Sequence, residues 1–167
     1  MNKVWNTEEV TIENLAAHLA EAGLLAIATD EDKLWFRTEN GIAYSVTILD
    51  EKKFVRLSTY LPLDRDRPKE EKLTFAHHLN ANIFMPVFCL DDEDDLIVSY
   101  VLPYQFGMIA AQFSAMVIRF ASLLEFLVRE QNDDRIIAFT VRGRDTVADN
   151  VAGTNEPIGS SEPMMLH

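Results

Sequence analysis

The chain has 167 residues, with 27 acidic against 15 basic side chains and a net charge of −12. At 48% apolar and 25% charged residues, it has the makeup of one soluble domain with a real core. The negative field repels phosphate backbones and anionic bilayers, so composition argues against nucleic acid and membrane surfaces as partners.

Two further features narrow the class. "MNKVWNTEEV" has no apolar run of the secretory kind, and the single cysteine, Cys89, permits no internal disulfide. The longest apolar stretch, residues 106–128, carries Gln112, Arg119 and Glu125, which are costly in a bilayer. These readings predict a cytoplasmic protein.

In chain order, "TIENLAAHLAEAG" predicts a first helix, with Thr11 to cap it and Gly23 to end it. Ile12, Leu15, Ala16 and Leu19 line one face. Asn14, His18 and Glu21 fall on the other, so His18 is expected in solvent. "LLAIATD", "KLWFRTE", "GIAYSVTIL" and "FVRLSTYL" are short runs rich in β-branched and aromatic residues. "DEDK", "ENG" and "DEKK" join them, and Asn40-Gly41 is a hairpin signal. With no room for crossover helices, the strands form an antiparallel meander.

After "PLDRDRPKEEKL" the period changes to that of a helix. Pro68 opens it, and Glu70 and Glu71 suit its first turn. Phe75, Ala76, Leu79 and Ile83 share an arc with Asn80, which is expected to bond neighbouring backbone. His77 and His78 point about 100° apart and cannot ligate one ion together.

Residues 91–95 are five consecutive acids between "FMPVFCL" and "LIVSYVL". A calcium loop starting at Asp91 would need glycine at its sixth position and glutamate at its twelfth, where Leu96 and Leu102 stand. The run therefore reads as a hairpin turn, and Cys89 on the strand before it as a small core residue. A long helix follows over 106–131. Ile109, Phe113, Met116, Val117, Phe120, Leu124 and Leu127 form the stripe that covers the sheet.

A second arc of that helix carries Met108, Ala111, Ala115, Ile118 and Phe126, mixed with Arg119, Ser122 and Arg129. Such a mixed arc suits a protein partner, with Met108, Ile118 and Phe126 as candidate contact residues. In a two-fold dimer the arc would meet itself, with Arg119 and Glu125 at the rim. The competing reading is that the tail folds back over it. The domain is expected to span 1–132. An extension over 133–167 would add one strand from "RIIAFTVRG" and then a mobile tail in "NVAGTNEPIGSSEPMMLH".

The sequence shows no GxSxG, phosphate-cradling glycine loop, CxxC or HExxH, and its four histidines have no metal-ligand spacing. No catalytic residue, cofactor or metal is predicted. The expected class is α+β: an antiparallel five- or six-stranded sheet with helices packed on it, in the order α-β(3-4)-α-β-β-α.

That order, with "LTFAHHLNANIFMPVFCLDDEDDLIVSYVLPY" and the helix "FSAMVIRFASLLEFLVRE", resembles the YbjN family of bacterial sensory-transduction regulators and the type III secretion chaperone-like fold. Asn80 or Asn82, the acidic turn Asp91 to Asp95 and the Leu102-Pro103 step match the family pattern, and "GIAYSVTILDEKKFVRLSTYLPL" resembles its earlier strand pair. The resemblance covers about residues 10–131. It implies a non-enzymatic, often dimeric protein that binds other proteins, holding an extended segment on apolar patches or adding it to a sheet edge. The alternative is a small-ligand sensor or an enzyme with a pocket between sheet and helices. A concave site with converging polar groups would favour that alternative, and a filled core with exposed apolar patches would favour protein binding.

Overall fold

The computed structural model describes residues 3–132 and 134–139. The architecture is α+β. Its larger sheet runs β2 (Ala28–Thr29), β3 (Lys33–Arg37), β4 (Ala43–Leu49), β5 (Phe54–Leu61), β7 (Leu96–Pro103) and β6 (Val87–Leu90) from edge to edge, antiparallel throughout. The helices are α1 (Ile12–Glu21), α2 (Lys69–Asn82) and α3 (Ala110–Glu130). A second sheet pairs β1 (Val4–Trp5) with β8 (Met108–Ile109).

Alternation along the strands sorts the faces. Leu34, Phe36, Tyr44, Val46, Val55, Leu57, Leu96 and Val98 point to one side and are buried there with Leu15 and Leu19 of α1 and Phe113, Val117, Phe120, Leu124 and Leu127 of α3. The space between sheet and helices is thus filled by apolar side chains. Local signals set the element ends. Thr11 Oγ1 accepts the Asn14 N–H, and Gly23 stands at φ +83 just past α1, with the Leu24 N–H returning to the Leu19 carbonyl.

The acidic run is a turn joining β6 to β7, and it is held from within. The Asp91 carboxylate accepts the N–H groups of Glu93 and Asp95, 2.9 Å each, while Asp95 accepts the Leu63 N–H at 3.0 Å. Arg65 pairs with Asp95 at 2.8 Å, and Lys69 with Asp94. Lys69 holds the Asp94 carboxyl below its usual range. The chain's own cations meet this cluster.

Several expectations change. His18 is not solvated: Trp5 of β1 packs edge-on against its ring, centroids 5.1 Å apart, and its Nε2–H donates to the Ala110 carbonyl at 3.0 Å. Cys89 is exposed, because Phe88 takes the inward position and alternation turns its neighbour out. The last helix begins at Ala110 rather than 106. Gly107 stands at φ +91, and a Cβ there would lie 2.5 Å from the Trp5 carbonyl oxygen, so β1 and β8 can meet only over a glycine.

Packing also runs past residue 132. Leu63 bridges Ile137, and Ile136 and Ile137 are buried. The Asn132 side chain donates to the Ile137 carbonyl at 2.9 Å and accepts its N–H at 2.7 Å. The rest of the expected extra strand and the tail over 150–167 lie outside the described residues.

Candidate protein-docking surface

Helix α3 spends one face on the core and leaves the other exposed. Phe113, Val117, Leu124 and Leu127 are wholly buried, whereas Ile118 is 47% and Phe126 41% exposed. Helical spacing puts Ile118, Ser122 and Phe126 in one line, four residues apart. This ridge separates two clefts, both of which Phe126 lines.

The first is a groove of about 390 Å³ between α3 and the link from α2 to β6. Met116, Leu123 and Phe126 form one wall, Ile83 to Pro86 the other, and Tyr100 of β7 belongs to the lining. Among the described residues, Arg119 is its only charged lining residue. Phe84 on the link is 93% exposed. Met85 beside it stands at φ +96, a backbone region that costs an L-residue on the order of 1–3 kcal/mol. A residue in a costly backbone region and a solvated phenylalanine thus stand together at the mouth of an apolar groove.

The second cleft lies between α3 and the Thr38–Glu39 turn. Glu125 closes this turn: its carboxylate accepts the Asn40 N–H at 3.0 Å and the Asn40 side-chain amide. Burial pushes the Glu125 carboxyl up, but the hydrogen bonds from Thr38 and Asn40 outweigh it and hold the group below its ordinary value. Tyr44 lines the same cleft, and burial raises its hydroxyl to about 12, so it stays protonated and offers no base.

Of the three candidate contact residues, the structure brings together Ile118 and Phe126. Met108 lies apart in β8, paired with Trp5 and only 8% exposed. Sequence reasoning missed Phe84 and Met85. The signal for the link was available: "NIFMPV" places three large apolar residues before a proline, between two elements that already have their core residues.

A larger cleft of about 770 Å³ lies between the start of α2 and the end of α3, lined by Glu70, Glu71, Glu130 and Asp134 with Arg67 and His78. Arg67 is engaged by Glu71 at 3.1 Å and by the Asp134 carbonyl at 2.8 Å. Among the described residues no group of three or more His, Cys, Asp or Glu is placed to hold a metal ion.

The fold and this surface define the class: an α+β domain with three helices on one antiparallel sheet and an apolar groove along its longest helix. The chain belongs to the YbjN family, whose model, described as "YbjN: Putative bacterial sensory transduction regulator", matches residues 11–130. It is similar in fold to the crystal structure of YbjN from E. coli, described there as "a putative transcription regulator", at TM-score 0.65 and 16% identity over 75% of this chain and 94% of that one. The ExsC–ExsE complex matches at TM-score 0.53 and 15% identity, covering 75% of this chain and 92% of that one. The HopA1–SchA chaperone–effector complex matches at 0.50 and 16%, covering 68% and 87%. No curated protein sequence matches the chain.

Proposed function

We propose that this chain is a non-enzymatic, cytoplasmic regulator that binds an apolar segment of another polypeptide in the groove between α3 and residues 83–86. The observation that carries this reading is the groove itself: concave, apolar, edged by the exposed Phe84 and Phe126, and with one charge rather than the converging polar groups a reaction needs. The likeness in fold to a chaperone held with its effector supports it. Each phenylalanine covered by a partner would contribute about 1.5–3 kcal/mol before the costs of association are subtracted.

The test is a photo-crosslinking amino acid placed at Phe126, with a control at Glu51, in the native cell. A discrete partner captured only from position 126 is the expected outcome. Equal capture from both positions, or none, ends the reading.

Self-association is a second reading, carried by Ile118. It lies outside the groove yet is half exposed on the same ridge as Phe126, where a two-fold axis could bring two copies together. A wild type that sediments as a dimer, and as a folded monomer once Ile118→Glu and Phe126→Glu are combined, supports this reading. A monomeric wild type at high micromolar concentration removes it.

A further inference from the structure

All three helices pack on one side of the six-stranded sheet, and no described segment lies over the other. The register fixes what that open face carries. Lys33, Thr47, Arg56 and Val101 form one row across β3, β4, β5 and β7, and Trp35, Ser45, Ser58 and Ser99 form the next. A third row begins with Arg37 and Ala43 of β3 and β4. Every charged residue at these outward strand positions is basic, in a chain of net charge −12.

None of Lys33, Arg37 and Arg56 has a carboxylate within ion-pair distance among the described residues, whereas Lys53, Arg65, Arg67 and Lys69 each do. Lys33 rests over the Trp35 ring, 5.1 Å from its centroid. Between the cations the small residues are shielded, Thr47 at 3% and Ser45 at 4% exposed, so the long side chains of Lys33, Arg37 and Arg56 are what the face presents.

We infer that this open sheet face is a second docking surface, specific for an extended, carboxylate-bearing polypeptide segment. It shares with the preceding reading only the premise that the chain binds polypeptides, and it lies on the opposite side from the groove. Charge selects the occupant. Screening over about 8 Å at physiological salt makes a ligand on the face respond to the nearby cations more than to remote acids. A second copy would bring the same cations against these. A phosphate backbone, charged along its whole length, would meet the acidic remainder of the chain, whereas a short acidic segment stays on the face.

The test uses the full chain and a fluorescein-labelled dodecapeptide with glutamate at every second position among threonines, so that all carboxylates of the extended chain share one face, read by anisotropy. Saturable binding is expected, weakened at least tenfold by 0.5 M NaCl or by Lys33→Gln with Arg56→Gln. It should be retained in Arg56→Lys and in Phe126→Glu, which separates this surface from the groove. Failure to bind overturns the inference. So does equal binding of the lysine counterpart, unchanged affinity in the folded double variant, or displacement of the peptide by a twelve-residue oligothymidylate.

Discussion

The two faces of α3 have similar chemistry and opposite fates. One presents Phe113, Val117, Phe120, Leu124 and Leu127 to the sheet, and burial there holds the domain together. The other presents Met116, Ile118, Leu123 and Phe126, which stay partly or largely in water. By length and composition alone this helix could cross a membrane. The fold instead divides its apolar surface between internal packing and exposure to solvent. Apolar character on a helix thus does not tell core from interface; the lie of the neighbouring elements does.

The largest expected effect sits on the core face. Phe120→Ala removes a ring that packs against Tyr44 at a centroid distance of 5.9 Å, and should destabilise by about 3–5 kcal/mol, read from denaturant midpoints. A loss below about 1 kcal/mol would erase the distinction between the faces. Next comes the flank. Glu125→Ala leaves the Asn40 N–H unpartnered and should cost about 1 kcal/mol.

The Glu125 carboxyl lies below its ordinary value in the folded chain. Its contribution is therefore full above 4.5 and fades as pH falls through the folded value. Stability measured against pH should lose that part of its acid slope in Glu125→Ala and keep it elsewhere. On the exposed face, Ile118→Glu with Phe126→Glu should change stability by less than about 1 kcal/mol, as surface substitutions do, while altering association. Unfolding of that variant would make the ridge part of the core. The smallest effect is expected at the far turn, where Asp92→Asn should stay within about 0.5 kcal/mol.

The core stripe of α3 was legible because Phe113, Val117, Phe120, Leu124 and Leu127 recur at helical spacing, although Ile109, read into the same stripe, lies in β8 and Met116 lines the groove; the meander was legible because strand runs alternate with hairpin signals. Asn80 was legible as a backbone partner too: its side chain donates to the Phe88 carbonyl at 2.8 Å and accepts the Phe88 N–H at 3.0 Å. What escaped were features set by distant chain. His18 looked solvated on the helical wheel, because the strand that covers it is only Val4–Trp5, too short to leave a periodic signal. Met108 looked helical because Gly107 interrupts the run for a tertiary reason, its approach to Trp5. Cys89 could have been placed outward by alternation from Phe88 alone. The groove was half legible: Phe126 fell on the unused arc, but pairing it with Phe84 needed the link from α2 to β6 in three dimensions.

The Asn80 amide has a further consequence. A sheet that ends in an unpaired strand invites the same strand of a neighbour, and such pairing has no natural stopping point, so it leads toward fibres. Here the last strand, β6, already has the N–H and C=O of Phe88 engaged by one asparagine, and Pro86 just before it has no N–H to donate. The opposite edge is β2, only two residues long. A chain that displays Phe84 and Phe126 to the solvent must still avoid open-ended polymerisation, and the side chain of Asn80 works as a stopper at the end of the sheet where it is most exposed to that risk.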